Sequence, residues 1–108
     1  MAELDLLHGT LDLIILKALI WGPSHGYAVA RWVADITGEE LQVEEGALYT
    51  ALHRMEKRGW IAAEWGLSEN NRKAKFYRLT PVGRKQLRDK AEMWQRYARA
   101  VARVLSTA

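Results

Sequence analysis

The chain has 108 residues, 49% of them hydrophobic and five of them tryptophan, which is the size and apolar content of one small domain. It has no cysteine and no apolar run near the roughly 18 residues that cross a membrane, which excludes disulfides, thiolate nucleophiles, cysteine-ligated zinc and a transmembrane helix, and predicts a cytoplasmic location. The net charge is +3, but residues 1–71 carry 5 basic and 11 acidic side chains and residues 72–108 carry 11 and 2, so a basic surface for nucleic acid and a merely solvated basic helix are both open.

Two helices are predicted first. Thr10 is the expected N-cap of the first helix, because its side-chain oxygen can accept a hydrogen bond from an unpaired backbone N–H. The following residues, 11–21, are almost all apolar, so this helix should be buried, and a Gly-Pro pair should end it. Ser24 is the expected cap of the second helix, over 25–37, and Gly38 is its expected left-handed end.

The stretch EEGALYTALHRMEKRGWI, residues 44–61, predicts a helix with two different faces. Leu48, Leu52 and Met55 recur at the spacing of one apolar helix face. Another face is aromatic, hydroxyl, imidazole and guanidinium, groups that hydrogen-bond phosphates and base edges. Arg54 has no acidic residue three or four positions away on this helix, so an unpaired arginine is expected there.

Two strands and a long helix complete the chain. The segment WIAAEWGL alternates so that Ile61, Ala63 and Trp65 share one face, and KAKFYRLT alternates in the same way. The polar SENNR between them predicts a β-hairpin with a basic tip. A last helix, capped by Thr80 and entered at Pro81, should run to about residue 105, a length of roughly 40 Å at about 1.5 Å per residue.

This order of elements predicts a mainly α fold with a small β-hairpin, the outline of a winged helix-turn-helix domain followed by a long C-terminal dimerisation helix. We expect the domain over residues 1–80 and the dimerisation helix over residues 81–108. In such a fold the third helix is the recognition helix and the hairpin is the wing.

Four stretches resemble the PadR-like bacterial transcriptional regulators. LLHGTLDLIILKAL is similar to the family's first helix, and HGYAVARWV to the start of its second. GALYTALHRMEKRGWI is similar to its recognition helix, and RKAKFYRLTPVG to its wing. Together these stretches cover most of residues 4–90, and the short C-terminal region resembles the branch with one long helix. The resemblance implies a homodimeric DNA-binding regulator, usually a repressor, that is released by a small molecule or another signal.

The chain departs from the family pattern at two places. Thr50 stands where the family usually has proline, so it adds a hydroxyl and a backbone N–H to the recognition helix. Glu44 and Glu45 stand where small or polar residues are common. Their carboxylates suit the helix dipole but would repel phosphate if they faced it.

DNA contacts are predicted at the start of the second helix, along the recognition helix and at the wing tip, against double-stranded DNA with a palindromic operator. Helix starts and basic loops bind phosphates, and Arg54 is placed to bind guanine in a bidentate contact worth about 1–3 kcal/mol of discrimination. Each position also has a plainer reading as a cap, a packing residue or a solvated turn. The predicted DNA-binding residues are Ser24, His25, Tyr27, Gly46, Ala47, Tyr49, Thr50, His53, Arg54, Asn70, Asn71, Arg72, Lys73 and Lys75.

The last helix carries an apolar heptad stripe, which predicts pairing with a second copy of the chain. Part of the stripe can instead pack on the first helix. It consists of Leu87, Ala91, Trp94, Ala98, Val101 and Leu105. Because some family members bind planar aromatic ligands near the dimer interface, Trp94 is a candidate contact for a small aromatic effector, with core packing as the alternative. The other four tryptophans are expected mainly to pack.

Other functions have less support. His8, His25 and His53 lack the spacing of metal ligands, so no metal or other cofactor is expected. The sequence shows no clustered His and carboxylate set and no Gly-rich phosphate loop, so an enzyme is not expected. The remaining alternative is a winged-helix module that binds another protein and not DNA.

Overall fold

The computed structural model describes residues 9–108, which form four helices and one three-stranded antiparallel sheet. The predicted architecture, mainly α with a hairpin and a long last helix, is confirmed. The sheet order is β1-β3-β2, so the third strand is central. In chain order the elements are α1 (Thr10–Ala18), β1 (Ser24–His25), α2 (Gly26–Ile36), α3 (Glu45–Lys57), β2 (Ile61–Leu67), β3 (Lys73–Leu79) and α4 (Pro81–Ser106).

Helix α1 is shorter than predicted, and Thr10 is its first residue and not its cap. The cap is Gly9, whose φ of 84° lies in the left-handed region that glycine adopts without strain. The helix ends at Ala18 because the N–H groups of Leu19 and Ile20 bind carbonyls three residues back and tighten the chain into turns. Leu19 is nevertheless only 1% exposed, so the burial predicted for this segment continues past the helix end.

The start of the second helix also differs from its prediction, because Ser24 is not the cap. Ser24 and His25 form a short strand that pairs antiparallel with Tyr77 and Phe76 of β3. The cap is His25, since the Ala28 N–H donates to its Nδ1 over 3.1 Å. The predicted two-stranded hairpin is therefore part of a three-stranded sheet that holds the beginning of α2.

The core forms where α1, α2, α3 and the sheet meet. Ile15 and Leu16 of α1 and Leu52 and Met55 of α3 are fully buried, and Leu48 is 2% exposed. Burying a side chain of this kind contributes roughly 1.5–3 kcal/mol. The predicted apolar face of the third helix is thus confirmed as its core face.

Strands β2 and β3 form the predicted hairpin, in a register that pairs Ile61 with Leu79 and Ala63 with Tyr77. Ile61, Leu79 and Tyr77 are at most 6% exposed, so this face of the hairpin closes the core. The polar loop over residues 68–72 reverses the chain, as predicted, and projects the hairpin end away from the core.

Helix α4 begins with the predicted cap, since the Gly83 N–H donates to Thr80 Oγ1 over 3.1 Å. Gly83 lies so close to the sheet that a Cβ there would overlap the Trp60 carbonyl oxygen. The helix has 26 residues, about 39 Å at about 1.5 Å per residue. Leu87 is its last buried side chain, so α4 leaves the core beyond that point. The division of the chain at residue 80 stays a prediction, because the first turns of α4 belong to the core.

Candidate nucleic-acid interface

An outward face runs along α3 opposite its buried stripe. Gly46, Thr50, His53 and Lys57 follow each other at helical spacing and are all exposed. The face therefore presents a hydroxyl, an imidazole and an ammonium group, which can hydrogen-bond phosphates and base edges. Lys57 was not among the predicted DNA contacts, although its spacing from Thr50 and His53 places it beside them.

The start of α3 is capped by one of the two unexpected acids. The Gly46 N–H donates to Glu44 Oε1 and the Ala47 N–H donates to Glu44 Oε2, each over 2.9 Å. A Cβ on Gly46 would stand 3.0 Å from Glu44 Oε1, so glycine leaves room for this carboxylate. The bond from Ala47 and then that from Gly46 hold the pKa of Glu44 below its ordinary value. The N–H groups of Gly46 and Ala47, two predicted DNA contacts, are therefore paired within the chain.

The side chain of Tyr49 on α3 points toward Gly26 at the start of α2. It is 37% exposed, and a Cβ on Gly26 would approach its hydroxyl oxygen to 2.9 Å. Gly26 thus lets the two helices pack closely, while the edge of the phenol stays at the surface. Beside it Tyr27 is 64% exposed, with its ring centroid 6.4 Å from that of His25. Ser24, in the neighbouring strand, is half-buried.

Arg54 is not unpaired, although the absence of a nearby acid on its own helix predicted that it would be. Its guanidinium forms an ion pair with the carboxylate of Asp12, which lies on α1, 42 residues earlier. The two side chains are 38% and 14% exposed, so the pair is partly withdrawn from water. Arg54 therefore ties α3 to α1, and its contact with guanine stays a prediction.

The wing tip carries the predicted amide and basic groups. Asn70, Asn71, Arg72 and Lys73 are exposed, and Asn71 takes the left-handed φ of 59° that helps to close the loop. Lys73 begins β3, and its Nζ lies 5.1 Å from the centroid of the Trp65 ring. Within residues 9–108, no acidic side chain forms an ion pair with Arg72 or Lys73, so the tip holds two unpaired cations.

Lys75, predicted at the tip, lies inside β3 instead. Its Nζ donates to Glu56 Oε1 over 3.1 Å, and this bond raises the pKa of Lys75. The same Nζ lies 5.5 Å from the centroid of the Tyr77 ring. The pair joins the wing to α3, so Lys75 has a structural role that the hairpin sequence alone does not reveal.

A cleft of about 1240 Å³ lies between the start of α2, one side of α3 and the inner face of the wing. We call it the wing cleft. It brings together residues from all three predicted contact regions. Those that line it are His25, Tyr27, Tyr49, His53, Asn70, Arg72, Lys73 and Lys75.

Several residues that line the wing cleft were not predicted as DNA contacts, among them Arg31, Trp65 and two acids, Asp35 and Glu69. Arg31 of α2 is exposed there. Trp65 was expected to pack but is 63% exposed, and Trp21, also expected to pack, is 69% exposed and lies outside the cleft. Strand alternation gave the correct face for Trp65, but it cannot tell where along that face the core ends.

The helix pair α2 and α3, the wing and the polar outward face of α3 together define a winged helix-turn-helix regulator. The chain belongs to the transcriptional regulator PadR-like family, whose model matches residues 15–89. An uncharacterized protein of Lysinibacillus sphaericus is 31% identical over 94 residues, which is 87% of this chain and 86% of that protein.

Solved structures agree with this assignment. A transcriptional regulator from Clostridium thermocellum superposes with a TM-score of 0.80 at 35% identity, over 88% of this chain and 92% of that one. A PadR family transcriptional regulator from Eggerthella lenta gives 0.79 at 31% identity, over 93% and 85% of the two chains. Bacillus subtilis PadR, solved in complex with operator DNA, shares the fold with a TM-score of 0.68 at 23% identity, over 76% of this chain and 46% of that one. These relatives are regulators and not enzymes, as the sequence led us to expect.

Within residues 9–108, no helix is long and apolar enough to cross a membrane. The same range holds no group of three or more His, Cys, Asp and Glu side chains that could bind a metal ion.

The carboxylate cap of α3 predicts a pH-dependent stability. Replacing Glu44 with alanine should lower the thermal unfolding midpoint at pH 7, because two N–H groups lose their partner. The folded-state pKa of Glu44 lies below its ordinary value of 4.5, so its contribution is present above that pH and is lost as the pH falls through the folded-state value. Melting curves from pH 7 to pH 2 should therefore converge for the two proteins.

Glu45 provides the matched control for this experiment. It is the adjacent exposed acid, and its side chain forms no hydrogen bond or ion pair within residues 9–108. Glu45→Ala should change the midpoint less than Glu44→Ala does. Equal effects of the two substitutions, or a difference for Glu44→Ala that persists at low pH, would contradict the capping role.

Proposed function

We propose that this chain is a sequence-specific regulator that binds double-stranded DNA as a homodimer, and that it acts as a repressor released by a small molecule or another signal. The observation that carries the proposal is the wing cleft, where the start of α2, Tyr49 and His53 of α3 and the basic residues of the wing lie on one side of the molecule. Membership of the PadR-like family supports it.

The geometry suits the two grooves of a duplex. In winged helix-turn-helix proteins the recognition helix lies in the major groove, which admits an α-helix, and it reads base edges there. The outward face of α3, with Thr50, His53 and Lys57, is suited to that groove. Arg72 and Lys73 then lie where the wing can reach phosphates of the adjoining backbone, which fixes the register of the protein on DNA.

Dimerisation is proposed from the exposed part of α4. Beyond Leu87 the helix carries a row of large apolar side chains in water, and such patches mark association surfaces. They are Met93, Trp94, Tyr97, Val101, Val104 and Leu105, between 37% and 79% exposed. Of the predicted stripe, Leu87 is buried in the core of its own chain, and Ala91 and Ala98 are half-buried. The exposed members Trp94, Val101 and Leu105 are therefore the proposed interface positions.

An effector site is proposed beside Trp94. A groove of about 960 Å³ lies between the start of α1 and the middle of α4. The Trp94 and Tyr97 rings line it, with centroids 6.3 Å apart, and Arg96, Arg99 and Arg103 line it as well. Aromatic rings beside guanidinium groups favour a planar aromatic carboxylate.

Binding to a random pool of duplexes at near-physiological salt tests the proposed function. A palindromic consensus with half-sites about one helical turn apart, roughly 34 Å, is expected of a two-fold dimer. No enriched sequence from a folded dimer would contradict DNA reading and favour the alternative, a winged helix that binds another protein.

The wing contribution is tested on the selected duplex. The logarithm of the DNA-binding constant falls linearly with the logarithm of the salt concentration. Arg72→Ala and Lys73→Ala should each make this slope shallower by about 0.9, because each removes roughly one phosphate contact. The control is Lys85→Ala, an exposed lysine near the start of α4 that pairs with Asp89 over 2.8 Å. Unchanged slopes in both wing variants would refute the phosphate contacts.

The proposed interface is tested by the mass in solution. Light scattering should give twice the chain mass for the wild type and the chain mass for Val101→Asp/Leu105→Asp. The double variant should keep its fold, because these side chains are 37% and 79% exposed in the single chain. Glu92→Ala is the control, since it lies two residues from Trp94 and so on another face of α4. A dimeric double variant would refute this interface.

The effector groove is tested with 2-naphthoate as a probe. Tryptophan fluorescence should be quenched on titration, and the probe should release bound duplex. Trp94→Phe should weaken both effects, whereas Trp21→Phe should leave them unchanged. Equal quenching in wild type and Trp94→Phe would mean that the probe binds away from Trp94. No quenching and no release of duplex would contradict an effector site of this chemistry.

A further inference from the structure

Trp65 is a large aromatic side chain in water on the inner face of the wing. It is 63% exposed, although it shares its strand face with Ile61, which is 2% exposed. The two lie four residues apart on β2, or about 13 Å at about 3.3 Å per residue, so the face runs past the core before it reaches Trp65. The next residue on that face, Leu67, is 66% exposed.

Cations lie directly across the hairpin from these two apolar residues. The register pairs Trp65 with Lys75 and Leu67 with Lys73. The Lys73 Nζ also lies 5.1 Å from the centroid of the Trp65 ring, within cation–π range. The inner face of the wing therefore interleaves apolar surface with ammonium groups.

This face looks into the wing cleft. Trp65 lines the cleft together with Tyr49 and His53 of α3 and with Arg72 of the wing tip. A partner that lies against α3 and also reaches the wing tip must pass Trp65. A nucleic-acid strand has the matching chemistry, because each sugar presents C–H groups between two phosphates.

On these grounds, and resting on the proposed function, we propose that Trp65 packs against a deoxyribose of the DNA strand that runs from α3 to the wing tip, while Arg72 and Lys73 bind the flanking phosphates. Trp65 is then a positioning residue that fixes the wing on the backbone. Its contribution comes from apolar contact, so it does not depend on counterion release. The contributions of Arg72 and Lys73 do depend on it.

The salt dependence of duplex binding separates this role from a purely structural one. Trp65→Ala should weaken binding about 10-fold at every salt concentration, the loss expected for roughly 60 Å² of apolar contact. Its log–log salt slope should equal that of the wild type. Arg72→Ala should instead make the slope shallower by about 0.9. Trp65→Phe keeps an aromatic ring and should restore most of the affinity.

Trp21 provides a closely matched control. It is 69% exposed and has a lysine, Lys17, with its Nζ 5.2 Å from the ring centroid. Trp21 does not itself line the wing cleft, although its ring centroid lies 5.4 Å from that of Trp32, which does. Trp21→Ala should bind DNA like the wild type. Melting curves of all variants would show whether a loss of binding comes from unfolding.

The outcomes separate this inference from the proposed function. Wild-type protein that binds no duplex overturns both. Wild-type binding that Trp65→Ala leaves undiminished overturns the inference alone, as does a Trp65→Ala variant with a lowered slope. An equal loss in Trp21→Ala would also overturn it.

Discussion

Strand β3 sets the relative positions of the elements of the proposed interface. It pairs on one side with β1 and on the other with β2, so Tyr77 lies opposite both Ser24 and Ala63. Because β1 runs directly into α2, the start of that helix cannot move relative to the wing without breaking backbone hydrogen bonds. Tyr77 is 2% exposed, and its burial raises the pKa of its phenol. The pairing is thereby anchored in the core.

The third helix is held against this frame by ion pairs at its two flanks as well as by its buried stripe. Arg54 reaches Asp12 on α1, and Glu56 accepts from Lys75 on the wing. Partly exposed pairs of this kind contribute little to stability, typically 0–1 kcal/mol, so their main consequence is geometric. They also use two of the cations that the sequence offers to DNA. Arg72 and Lys73 at the wing tip and Lys57 on the outward face of α3 form no ion pair within residues 9–108, so their charge stays available to DNA.

The sequence predicted local structure well and long-range partners poorly. Periodicity and turn residues gave four helices and a hairpin, the Thr80 cap and the left-handed Gly38, which has a φ of 59°. A two-residue strand has no periodicity, so β1 was missed and Ser24 was taken for the cap. The partner of Arg54 lies 42 residues away on another helix, which no local rule reaches. Among the site residues, their types and faces were therefore predictable, but their partners and exposure required the fold.

The rigid start of α4 bears on how a signal could reach the wing. Thr80 Oγ1 donates to the Gly59 carbonyl over 2.6 Å, and its N–H donates to the Trp60 carbonyl over 3.1 Å. Gly83 lies against the same Trp60 carbonyl with no room for a Cβ. The first turn of α4 is thus fixed to the base of the hairpin, whereas the helix beyond Leu87 is outside the core. In the proposed dimer, a change in the angle between two such helices would turn each core with its α3 and wing as one body. The spacing of the two recognition helices would then change without any rearrangement inside the wing cleft.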